Sequence, residues 1–130
     1  MRFFEYNYKT FDGEEKTLKL RLVSSDMKTI ESKNKISLLD YVSHVSITMI
    51  TNMLMYLRRP EVPNFSATDS EKLYDELIDA GLTMEEVYIN IIMEALVISG
   101  FMKKEDLEQL KGKAENEKRE QLEEPITPRK

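Results

Sequence analysis

Hydrophobic and polar positions alternate from the start of the chain. Phe4, Tyr6 and Tyr8 fall on one side of an extended backbone, with Glu5, Asn7 and Lys9 on the other. Leu18, Leu20 and Leu22 repeat the pattern against Thr17, Lys19 and Arg21. Between the two runs lies Phe11-Asp12-Gly13-Glu14, where Asp-Gly predicts a type I′ turn, both of whose central residues need positive φ. The pattern therefore predicts a β-hairpin over residues 2–10 and 15–24. A lone hairpin is marginal in water, so its leucine face must pack on the helical part of the chain.

Helical spacing takes over after residue 24. Ser25 or Asp26 is placed to cap a short helix to about Ser32, and Ser37 to cap another that buries Leu38, Leu39, Tyr41 and Val42. A third helix is predicted over residues 46–59, its two terminal arginines suiting the negative end of the helix dipole, with Pro60 ending it. Residues 60–67 hold two prolines and read as a loop. Thr68-x-x-Glu71 reads as a capping box opening a helix that Gly81 stops. A second box, Thr83-x-x-Glu86, opens a helix running to Ser99, with Gly100 as its stop. From Lys103 the chain becomes mixed in charge, with Leu107, Leu110, Ala114 and Leu122 as a weak seam, and residues 125–130 read as disordered. The sum is an α+β, mainly α fold: an N-terminal hairpin packed on a small helical domain over residues 1–102, and a charged, partly helical or disordered tail over 103–130.

Two of these helices are too apolar for ordinary surface elements, which show one apolar stripe and a broad polar face. In the segment 83–99, Met84, Val87, Tyr88, Ile91, Ala95 and Ile98 make one face, and Ile89, Ile92, Met93, Leu96 and Val97 add most of the rest. Only Glu86, Asn90 and Glu94 form a polar strip. In the segment 46–59, Ile47, Ile50, Met53, Leu54 and Leu57 form a face that Met49 and Met55 widen. Six of the eight methionines lie from Met49 to Met102, and unbranched thioethers suit adaptable binding surfaces as well as cores. A short chain has few elements to cover such helices, which points to a partner or a second copy. The candidate surface comprises Ile47, Met49, Met53, Met55, Leu57, Ile92, Met93, Leu96 and Phe101.

Composition narrows the chemistry. The 130 residues suit one domain, and no cysteine is present for disulfides or thiolate metal sites. The N-terminus lacks a signal-peptide pattern, and no apolar run reaches a membrane span, so a cytosolic protein with no membrane partner is expected. A net charge of −5 with scattered bases argues against nucleic acid. His44 is the only histidine, placed to cap or pack rather than ligate, and the acids sit in first turns or on outward faces. No phosphate-loop, dinucleotide or nucleophile-elbow motif occurs. The expectation is a non-enzymatic interaction protein without catalytic, metal or cofactor residues.

Several features fall in one order. A strand, an Asp-Gly turn and the strand Lys16-Thr17-Leu18-Lys19-Leu20-Arg21-Leu22-Val23 precede a helix containing Ile30-Glu31. Next come Leu38-Leu39-Asp40-Tyr41-Val42, a helix ending near a proline, and Leu73-Tyr74-Asp75-Glu76-Leu77-Ile78-Asp79-Ala80-Gly81. Thr83-Met84-Glu85-Glu86-Val87 and Ala95-Leu96-Val97-Ile98-Ser99-Gly100-Phe101 close the series. Over about residues 2–102 this resembles the tail assembly chaperones of long-tailed (siphovirus-type) phages and prophages of Gram-positive bacteria. It departs at Ser32-Lys33-Asn34-Lys35, where a Leu-Gly-Lys type of turn would be expected.

The resemblance implies a protein of the host bacterial cytoplasm, absent from the mature virion, that binds and solubilises the tape measure protein. It also implies self-association into a homo-oligomer, with the tail tube protein as a further contact. Two other readings of the sequence stay open. One is a structural tail-completion or head–tail connector subunit; the other is a small acidic regulator binding a host protein.

Overall fold

The computed structural model describes residues 1–112. The hairpin forms as the alternation requires, with β1 (Phe4–Lys9) antiparallel to β2 (Glu15–Leu20). Phe4 pairs with Leu20 and Tyr6 with Leu18, so the aromatic and leucine positions share the inner face. Asn7 and Thr17 pair on the outer face, where the threonine hydroxyl donates to Asn7 Oδ1 at 2.6 Å. The connection is not the type I′ turn. Gly13 alone takes positive φ, at 91°, and the Gly13 N–H donates to Thr10 O at 2.9 Å. This is the pattern of three-residue loops with glycine in the left-handed position; it spares Asp12 the strained φ that a type I′ turn would demand.

Among the described residues the hairpin is followed by the α-helical elements α1 (Ser24–Asn34), α2 (Leu38–Ser43), α3 (Ile47–Arg58), α4 (Ala67–Asp79), α5 (Met84–Val87) and α6 (Glu94–Ile98), besides a π-helical segment and a last helical stretch. The architecture is α+β, mainly α. The caps at Ser37 and Thr83 lie where the sequence puts them, and Ser46 caps α3; each side chain accepts the N–H three residues on, and Thr83 and Glu86 complete a capping box. Two starts differ. Helix α1 begins after Val23 with no side-chain cap, so neither Ser25 nor Asp26 holds that role. Helix α4 begins two residues early, with Ser66 and Asp69 forming the box instead of Thr68 and Glu71. Arg59 Nε donates to Phe65 O at 3.0 Å, which fixes the chain just before Ser66 and lets the earlier box close. Those hydrogen bonds from Ser66 hold the Asp69 carboxyl below its usual range.

The segment predicted as one helix over 83–99 is helical throughout but not uniformly α. Between α5 and α6, residues Tyr88–Met93 wind as a π-helix. Five of these six side chains are buried, Tyr88, Ile89, Ile91, Ile92 and Met93.

The core lies where α3 meets β2, α4 and the π-helical segment. Leu18, Leu20 and Leu22 cover one side, Ile30 and Leu77 add others, and backbone ties fasten the layers. Arg21 N–H donates to Leu57 O, and Leu22 N–H to the buried Ser99 Oγ, both at 2.9 Å. Residues 104–112 are helical, and Leu107 is buried in the same core. Lys111 pairs with Glu94 at 2.7 Å across that junction. Leu107 thus joins the core from within the stretch that the sequence reads as a charged, partly helical tail. Ala114, Leu122 and the segment read as disordered lie outside the described residues.

Candidate interaction surface

The nine residues singled out for partner binding or self-association divide sharply by burial. Met49, Met53, Leu57, Ile92, Met93 and Leu96 are each at most 2% exposed within the single chain. Met55 and Phe101 are half-buried, packed against the same core. Ile47, at 48%, is the one that faces solvent. The structure thus brings eight of the nine together as core rather than as a free surface. The physical reason is cover supplied from within: the hairpin's leucines, Leu77 of α4 and Leu107 enclose the helices that were expected to need a partner.

Among the described residues seven large apolar side chains are exposed, with Met1, Phe11 (85%) and Met84 standing apart from the other four. Ile36 (41%), Leu39 (53%), Val45 (44%) and Ile47 all fall within one twelve-residue stretch, on α2 and its two flanks. Between them Leu38 and Val42 point inward, so α2 is anchored by one side and bare on the other. The sequence carried a signal for this place: residues 36–57 contain a single charged residue, Asp40, in a chain that is 33% charged. Apolarity over α3 drew attention to the buried half of that stretch and away from the exposed half.

Helix α2 is short but firmly held. Leu38 N–H donates to Glu31 Oε2 at 2.8 Å, joining α1 to the start of α2. Tyr88 Oη donates to Val42 O at 2.7 Å, using a carbonyl at the end of α2 that has no helical partner. Asn52 Nδ2 donates to Tyr41 Oη at 3.1 Å, tying α2 to α3. His44 sits at the C-terminal cap with Nδ1 at 2.9 Å from Asp40 O. It is exposed and caps the helix, as its sequence position suggested.

A polar clamp joins the hairpin to α4. Glu76 of α4 accepts from Tyr8 Oη through Oε2 and pairs with Lys16 Nζ through Oε1 at 2.9 Å, clamping the hairpin to the helix. The Tyr8 hydrogen bond, aided by Lys16, lowers the Glu76 carboxyl, while burial and that same carboxylate push the Tyr8 hydroxyl up. Beside the clamp an open cleft of about 550 Å³ is lined by Phe11, Asp12, Lys72, Asp75 and Asp79, among others. Its free acids are on exposed faces, and the one half-buried carboxylate is committed to the clamp. Among the described residues no His, Cys, Asp or Glu group is arranged to hold a metal, and no helix is long and apolar enough to cross a membrane. No family model, curated protein or solved structure matches the chain.

Proposed function

We propose that the chain is a phage tail assembly chaperone, a non-enzymatic protein that binds the tape measure protein and keeps it in solution until the tail tube forms around it. The ordered set of sequence features from the hairpin to Phe101 supports this reading. The observation that carries it is the concentration of exposed aliphatic side chains on α2 and its flanks, where four of the seven exposed large apolar side chains among the described residues fall. A long apolar client aggregates when bare, and mass action favours a soluble partner that covers it. The charged remainder of the surface, acidic in balance at −5, keeps such a complex dispersed.

Co-expression with the tape measure protein of the same phage is the test. The soluble fraction of that client is expected to rise several-fold, and mass spectrometry of purified virions is expected to find none of this chain. A client that stays insoluble sinks the reading. A chain recovered stoichiometrically from virions makes it a structural subunit instead.

A further inference from the structure

The aliphatic corner formed by α2 and the start of α3 is bare on a rigid support, and its size, charge and surroundings constrain what can sit there. We propose that it docks one amphipathic helix of a partner chain, seated on Ile36, Leu39, Val45 and Ile47 by an aliphatic face and carrying a basic residue opposite Asp40. This takes from the functional reading only that the client offers such helices.

Area excludes the larger alternatives. Four roughly half-exposed aliphatic side chains present on the order of 300 Å² of apolar surface, the size of a functional patch on a monomer. A stable interface between folded domains needs about 800 Å² from each side, so this corner alone does not hold two copies together. A single helix offering anchors at i, i+3 or i+4, and i+7 covers an area of this order. An extended peptide would gain its affinity by pairing with a strand edge, and this corner is built of helix ends and a turn.

Charge and rigidity agree with that occupant. Asp40 is the one charge over residues 36–57 and is exposed beside Leu39, while Lys33 and Lys35 are exposed just ahead of Ile36, so the incoming helix is matched by a base at Asp40 and not by one at the Ile36 end. The rim is made of exposed hydroxyls, Ser37, Ser43, Ser46 and Thr48, which lose little side-chain entropy on binding. The corner is held from behind by Leu38, Val42 and the hydrogen bonds from Tyr88 and Asn52, so docking costs little reordering.

The test uses the full chain and a fluorescent synthetic helix with Leu at helical spacing, a polar face of Gln, and one Lys beside the leucine face. Binding by anisotropy is expected, with the Leu39→Glu/Ile47→Glu double variant at least tenfold weaker while its circular dichroism is unchanged. Phe11→Glu, in the hairpin loop, is expected to bind within twofold of wild type. Asp40→Asn is expected to weaken the Lys-bearing helix about threefold and leave an all-Gln version unchanged. Equal binding by the double variant overturns the site. So does a sedimentation dimer, or binding to phosphatidylcholine vesicles, that the double variant alone abolishes, since a second copy or a lipid surface is then the occupant. If wild type rescues the tape measure protein and the double variant rescues it equally, the chaperone reading stands and this site falls. If the helix binds as described and wild type gives no rescue, the site stands and the client is another protein.

Discussion

Replacing Met53 by glutamate is expected to cost most of the chain's stability, whereas the same change at Ile47 is expected to cost almost none. Both residues lie on α3 and both belong to the face that sequence periodicity marks as apolar. Met53 is 0% exposed and Ile47 is 48% exposed. Losing the buried methionine forfeits about 1.5–3 kcal/mol of transfer free energy. A carboxyl enclosed there is carried neutral at pH 7, which costs about 4 kcal/mol given an unfolded pKa of about 4.3. The sum, about 5–7 kcal/mol, rivals the whole net stability of a small domain, about 5–15 kcal/mol. At Ile47 roughly 1 kcal/mol of partial burial is lost, and the new carboxylate sits in the first turn after the Ser46 cap, where the helix dipole returns about 0.3–1 kcal/mol.

Urea denaturation followed by circular dichroism, repeated from pH 4.5 to pH 8, reads both numbers. The Met53→Glu penalty has a signature beyond its size. The folded-state pKa of the buried acid is raised, so the folded chain holds a proton that the unfolded chain releases above its own pKa. Stability of that variant relative to wild type therefore falls as pH rises, by about 1.4 kcal/mol per unit, until the folded pKa is reached. Ile47→Glu shows no such slope. A Met53→Glu protein with a wild-type urea midpoint and no added pH dependence would refute the internal core, because its side chain would then face water.

Single contacts make further outcomes measurable. Leu107→Ala is expected to destabilise the chain by about 2–4 kcal/mol in the same denaturation assay, since its side chain is 1% exposed; an unchanged midpoint would return residues 103 onward to a solvated tail. Lys35, the one non-glycine residue at positive φ (57°) among the described residues, ends α1, so Lys35→Gly is expected to raise the thermal midpoint slightly, by up to about 1 kcal/mol of stability; a lower midpoint would contradict that backbone. Glu76 has a lowered folded pKa, so its contribution is full above the unfolded carboxylate pKa and is lost as pH falls through the folded one. Wild type should therefore lose stability on acidification faster than Glu76→Gln, and parallel acid limbs would dismiss the clamp to Tyr8 and Lys16. Ser46→Ala is expected to cost about 1 kcal/mol through the lost α3 cap.

Local signals were legible in the sequence because local chemistry decides them. The hairpin's alternation, the caps at Ser37 and Thr83, and the stops at Gly81 and Gly100 each depend on a few neighbouring residues; both glycines take positive φ, 108° and 87°. Where two local solutions competed, a distant contact chose. Ser66-x-x-Asp69 and Thr68-x-x-Glu71 are chemically equivalent boxes, and Arg59 holding Phe65 O favours the first. The π-helical segment had no local mark in the sequence. The burial of the candidate surface was hidden from the sequence for a similar reason. Periodicity measures how apolar α3 and the segment 84–98 are, and it is silent on what covers them. The hairpin's three leucines and one leucine in a charged stretch supplied that cover. A better guide was the scarcity of charge from Ile36 to Leu57, read together with the length of α2, too short to bury both of its sides.

The absence of cysteine in the chain permits a direct measurement of which apolar residues face outward. Single variants Leu39→Cys, Ile47→Cys, Met53→Cys and Ile92→Cys can each be labelled with a maleimide in native buffer and again in urea. Leu39→Cys and Ile47→Cys are expected to react in the native protein at close to their unfolded rates. Met53→Cys and Ile92→Cys are expected to react more slowly by orders of magnitude, at the rate that opening of the core allows. Native labelling of positions 53 and 92 as fast as that of 39 and 47 would contradict an apolar core closed by the chain itself and an interaction surface confined to the α2–α3 corner.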